Sequence, residues 1–164
     1  MEEKLRSLME ILKKEANLYE KLLGLCREEK GVIIKGDLKT LGRITKGQED
    51  LFLELRAWEK ARQLLMKDLR KVLSLSEEVT FSQLIKKLKE PFASQCKQLQ
   101  KRIVSLMKDI EQVNKTNTSL ITYSIKFIDD CFALLTETKE IPLYTSNGKS
   151  GKKEQGRKLL DQKT

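Results

Sequence analysis

Apolar residues recur along this chain in steps of three and four, over three long stretches. The first runs Leu5, Leu8, Leu12, Ala16, Tyr19, Leu23, Cys26 and Ile33, with one gap at Lys30. That is the period of an amphipathic helix, held for about eight turns. It breaks at "KGVIIKGDL", where two glycines weaken the helix and Asp37 is suited to cap the start of another. The second stripe is Leu38, Leu41, Ile44, Gln48, Leu51, Leu55, Trp58, Arg62, Leu65, Leu69 and Val72, and it fails at "LSLSEEVT". Gly42 and Gly47 fall in its first turns, each costing about 1 kcal/mol relative to alanine.

Thr80-Phe81-Ser82-Gln83 has the T-x-x-Q form of a capping box and predicts a short helix over 80–88. Pro91 then suits the first turn of a further helix. That last helix has the longest seam: Leu99, Ile103, Leu106, Ile110, Val113, Asn117, Leu120, Ser124, Phe127, Cys131 and Leu134. A neighbouring row, Ile121, Ile125, Ile128, Phe132 and Leu135, widens its apolar face. Beyond Thr136 the period stops, and Pro142, three glycines and a basic cluster read as a flexible tail over 137–164.

The pattern predicts an all-α fold: a long antiparallel helical hairpin with a third long helix, an elongated three-helix bundle of coiled-coil character. Residues 1–136 form its helical domain. A parallel coiled-coil dimer is the structural competitor.

Composition narrows the function. Charged residues make up 35% of the 164-residue chain and aromatics 5%, with proline occurring twice. The net charge of +9 is uneven: the last 20 residues hold six basic against two acidic side chains, and the rest interleaves both signs. No basic face carries aromatics for bases to stack on, so a nucleic-acid partner is not expected. No apolar run reaches the ~18 residues of a membrane span, and the N-terminus lacks a signal-peptide core. The expected location is the cytoplasm, with Cys26, Cys96 and Cys131 as reduced packing residues.

Catalytic chemistry has little to build on. The chain has no histidine, no nucleophile motif and no phosphate-binding loop, and its paired carboxylates (Glu28–Glu29, Glu77–Glu78, Asp129–Asp130) are adjacent and diverge on a helix. No enzymatic activity, metal or cofactor is expected. What remains is surface, and a wide apolar helix face can take up an amphipathic helix from a partner. The row from Ile121 to Leu135 is the candidate, and closing the protein's own core is the other reading of the same residues.

Three polar residues interrupt the stripes: Gln48, Arg62 and Asn117. Left unpaired in a core, each costs about 1–3 kcal/mol, so each should find a partner, fix register or contact a ligand. Glu59 stands three residues before Arg62 and is placed to pair with it. Asn114 and Asn117 also match N-x-[S/T], but a glycan belongs on an exposed loop of a secreted chain, not in a helical seam.

The stretch "NLYEKLLGLCREEKGVIIKGDLKTLGRITKGQEDLFLELRAWEKARQLLMKDL" resembles the first helical hairpin of the FlgN family of flagellar type III export chaperones. "VNKTNTSLITYSIKFIDDCFALL" resembles that family's N-x-x-N-x-x-L-[LI] helix, and "IPLYTSNGK" its closing Y-x-x-x-G segment. Together these cover roughly residues 5–149. Gly42 and Gly47 depart from the family pattern, which keeps good helix formers there. The resemblance implies a cytoplasmic chaperone that binds the C-terminal helix of hook-associated proteins, the filament-junction subunits, and delivers them to the export gate. It implies a client-binding set of Asn114, Asn117, Ile121, Ile125, Ile128, Phe132 and Leu135, and docking of Tyr144 on the gate's cytoplasmic domain. A client-free homo-oligomer is compatible with it. A structural coiled-coil adaptor without chaperone activity is the alternative.

Overall fold

The computed structural model describes residues 1–136, with side-chain surroundings through residue 133. It contains four helices, α1 (Glu2–Lys35), α2 (Leu38–Val72), α3 (Phe81–Ile85) and α4 (Phe92–Thr136). The fold is all-α, as the periodicity predicts, and the tail beyond 136 lies outside the described residues. Contacts divide the chain into two compact units, Met1–Thr122 and Tyr123–Thr164, with the boundary inside α4.

Within the first unit, α1 and α2 pair antiparallel in one chain, so the hairpin is internal and not a contact between copies. Only Gly36 and Asp37 separate the two helices. Gly31 does not break α1. Gly36 ends it in the left-handed region at φ 68°, a conformation that glycine adopts without a Cβ penalty. Asp37 follows at once as the cap of α2, its carboxylate accepting from the Thr40 backbone N–H at 3.0 Å and the Thr40 hydroxyl at 2.6 Å. Those two bonds hold the Asp37 carboxyl below its ordinary pKa. α2 runs unbroken through Gly42 and Gly47. At Gly47 a Cβ would stand 3.2 Å from the Leu25 Cδ1 of α1, so glycine there lets the two helices approach closely.

α2 stops where Ser74 turns to positive φ, and the connector is tied back by the Arg70 Nε donating to the Val79 carbonyl at 2.9 Å. The capping box at α3 forms in both directions: Thr80 Oγ1 accepts from the Gln83 N–H, and the Gln83 side chain accepts from the Thr80 N–H at 2.8 Å. α3 is shorter than the 80–88 expectation. It ends at Ile85 and continues only as turns, in which the Lys87 N–H donates to Leu84 and the Leu88 N–H to Ile85. Pro91 stands just ahead of α4, and the Glu90 carboxylate accepts from the Ser94 N–H at 3.2 Å.

Two apolar clusters make the core. One joins Leu5, Leu8 and Leu12 of α1 to Met66 and Leu69 of α2, Leu84 and Ile85 of α3, and Cys96 of α4. The other joins Leu18, Leu22, Leu23 and Cys26 of α1 to Leu55 and Ile110. α1 contributes to both and is covered on two sides, by α2 and by α4. A single stripe therefore understates it: Ile11, Leu18 and Leu22 are buried although they lie off the predicted row. Cys26 and Cys96 are free and buried, as expected of packing thiols, and burial raises both thiol pKa values. The ends of the α2 stripe, Leu38 and Val72, are exposed.

Candidate functional site

Two polar layers interrupt the core. Between the clusters, Glu15 of α1 is only 4% exposed and accepts from Arg62 Nε at 2.9 Å. The expected pairing of Arg62 with Glu59 is secondary, at 3.9 Å. The guanidinium instead reaches across the hairpin to the buried carboxylate, which is costly to leave without a counter-charge. Burial raises the Glu15 pKa, and the Arg62 hydrogen bond and charge only partly oppose that rise. Tyr19, one turn along, is pushed up by burial and then by Glu15 and Glu59.

The second layer gathers three helices near the end of α1. Glu29 Oε2 accepts from Gln48 Nε2 of α2 at 3.0 Å and from Asn117 Nδ2 of α4 at 3.0 Å. The same Asn117 nitrogen donates to the Cys26 carbonyl at 2.8 Å, while Asn117 Oδ1 is buried with no hydrogen-bond partner. Asn117 is 3% exposed and faces α1, whereas Asn114, one turn earlier, is exposed. The seam residues Gln48, Arg62 and Asn117 thus all find partners inside the protein. Glu15 was not singled out from the sequence, and Glu29 was noted only as half of an adjacent surface pair, of which Glu28 is exposed while Glu29 turns in to Gln48 and Asn117. The signal was present: Leu8, Ile11, Glu15, Leu18 and Leu22 form a second row in steps of three and four.

Beyond this layer the character of α4 changes. Every residue from Ile121 to Asp130 is exposed. Among them are Ile125 at 56%, Ile128 at 52% and Phe127 at 70%, and Phe132 follows at 62%. The seam predicted to continue through Ser124 and Phe127 is therefore not a buried seam, since both are exposed. Helical period reports that a face is apolar, not that another helix covers it. Of the expected client-binding row, Ile121, Ile125, Ile128 and Phe132 are displayed on one helix. The Leu135 side chain and Tyr144 lie outside what is described.

Among the described residues there is no group of three or more His, Cys, Asp or Glu side chains that could hold a metal, and no helix long and apolar enough to cross a membrane.

An exposed apolar helix face of this kind is the sort of surface on which another chain can pack. The family comparison specifies this: the FlgN protein family matches residues 1–152, and the chain belongs to that family. It is a family of flagellar export chaperones. No curated protein and no solved structure matches the chain.

Proposed function

We propose that this chain works in the cytoplasm as the export chaperone of hook-associated proteins. It is not an enzyme: it covers the C-terminal helix of its client with the row Ile121, Ile125, Ile128, Phe132 and Leu135 of α4. The observation that carries this reading is the unbroken exposure of Ile121–Asp130, an amphipathic stretch with branched and aromatic side chains in water. An uncovered client helix has the same problem, and pairing the two removes apolar surface from water on both. Asn114 is the asparagine a client can reach. Asn117 serves by fixing α4 on the hairpin.

Ile125→Glu places a charge in the middle of the row at a site that is already exposed, so helical content should not change. Capture of a hook-associated C-terminal fragment should weaken by about tenfold or more. Co-purification at wild-type level would remove the client role from this face.

Delivery needs a second contact, which we assign to Tyr144. Tyr144→Ala is expected to leave client capture intact and to weaken binding to the cytoplasmic domain of the export gate. Equal gate affinity in the two proteins, by calorimetry, would refute it.

A further inference from the structure

The hairpin turn carries a surface that the client reading does not use. Leu38, the first residue of α2, is 78% exposed, and Ile34, in the last turn of α1, is 68% exposed. No other leucine, isoleucine, valine or methionine among the described residues is as exposed as either. Val32, Ile33 and Leu41 beside them are half-exposed. A lone exposed leucine is ordinary, but the charge around this pair is not. Between residues 30 and 43 there are four basic side chains, Lys30, Lys35, Lys39 and Arg43, and one acidic, Asp37. All four cations are exposed, and none enters an ion pair among the described residues. The Asp37 carboxylate is taken up by Thr40, with Arg43 the smallest of the influences on it. Along the helix axes the four cations lie within about 8 Å of the turn, whereas the exposed Glu28 and Glu49 lie about 10 Å and about 16 Å from it. Both carboxylates are beyond the ~8 Å screening length at physiological salt, so the turn presents a positive end.

We propose that the hairpin turn rests on an anionic lipid bilayer, with Ile34 and Leu38 entering the headgroup layer and Lys30, Lys35, Lys39 and Arg43 meeting the lipid phosphates. Two observations select a bilayer. Cationic and apolar side chains interleave around the turn, in the order Lys30, Ile34, Lys35, Leu38, Lys39, so the partner must offer apolar and anionic groups together. A bilayer interface does so, because its acyl chains lie directly beneath a sheet of phosphates. Lysine suits that boundary, burying its stem while its ammonium stays at phosphate level. The second observation is shape. Gly36 and Asp37 make a two-residue corner, and the apolar pair projects from that corner into water. A partner helix needs an extended groove along a helix face, whereas a headgroup layer takes a narrow corner. Each cation at such a surface strengthens binding by about fivefold, so the contact is reversible and salt-sensitive. The inference rests on the turn and not on the client assignment.

The test is flotation of the full chain, without client, on vesicles of mixed phosphatidylglycerol and phosphatidylcholine, against vesicles of phosphatidylcholine alone. The wild type should float with the anionic vesicles only, and raising the salt from about 0.1 M to about 1 M should release it. Lys35→Gln combined with Lys39→Gln should weaken binding by about tenfold or more. Ile34→Ser combined with Leu38→Ser leaves the charge unchanged and should weaken it by a similar factor. All four sites are exposed, so helical content should not change. Leu53→Ser is the control: Leu53 is 66% exposed, but Glu49, Asp50 and Glu54 stand within four residues of it, and binding should be unaltered. A wild type that ignores anionic vesicles overturns the proposal. So does flotation that both turn variants leave unchanged, which assigns the contact to the basic cluster from Lys149 to Lys163. A loss confined to the lysine variant overturns it as well, since the apolar pair then stays in water. Loss of client capture in the serine variant with flotation intact gives the turn to a protein partner and also overturns it. Ile125→Glu, which tests the client row, should float as the wild type does, so the two readings fail separately.

Discussion

Arg62→Met is expected to lower the unfolding free energy by about 3–5 kcal/mol at neutral pH. The substitution keeps most of the side-chain volume and removes the ion-pair partner of a carboxylate that is 95% shielded from solvent along its side chain. Replacing Glu15 and Arg62 together by methionine should bring stability back to the wild-type level or above it by up to about 4 kcal/mol, because neither charge then needs desolvating. The direction of the Glu15 shift supports this ordering, since burial outweighs the attraction of Arg62.

The pH dependence follows from the same shift. The folded protein holds the Glu15 proton more firmly than the unfolded chain, whose pKa is near 4.5. This group's contribution to stability therefore falls as pH rises from about 4.5 through the raised folded value, and it is flat outside that window. Removing Arg62 extends the window upwards. The deficit of Arg62→Met relative to wild type should accordingly shrink on acidification towards pH 4.5. Urea unfolding at the two pH values checks it, and a deficit that grew in acid would contradict the account.

Leu84→Ala should cost about 3–5 kcal/mol. α3 has five residues, too few to hold a helix by its own hydrogen bonds. Its capping box is worth only about 1 kcal/mol. What secures it is Leu84, fully buried against the cluster that includes Leu8, Leu12, Leu69 and Cys96. The cavity left by alanine would lie where three long helices and the connector meet, so little can collapse into it. A shift in urea midpoint at unchanged slope would register the loss. A cost below about 1 kcal/mol would mean that α3 is not part of the cooperative core.

The features legible in the sequence were those written locally. Steps of three and four marked the long helices, Gly36-Asp37 marked the hairpin turn, and Thr80 with Gln83 marked the cap of α3. Contacts set by tertiary packing were less visible. The central position of α1 appears only when Leu8, Ile11, Glu15, Leu18 and Leu22 are read as a second face. Arg62 has an acidic neighbour at helical spacing, yet its main partner is 47 residues away. For the candidate site, the row from Ile121 to Phe132 was legible as apolar, but its exposure was not. The Ser124 and Phe127 positions share the spacing of the buried seam and differ from it only in what surrounds them. Asn117 was legible as a seam residue, while its bonds to Cys26 and Glu29 depend on which turn of α1 lies opposite.

The two polar layers bear on how this protein avoids becoming entangled with what it handles. On α1 Glu15 and Glu29 are two heptads apart, and so are their partners Arg62 and Gln48 on α2. A one-heptad slip of the hairpin would set Glu15 against Leu55 or Leu69, and Arg62 against Leu8 or Leu22. In either direction a buried charge would meet leucine and lose its counterpart, at a cost of several kcal/mol. A foreign leucine-rich helix that tried to replace α1 or α2 would face the same penalty unless it carried matching polar groups at both depths. The hairpin thus discriminates against strand exchange by generic amphipathic helices, which a protein with an exposed helical face would otherwise invite.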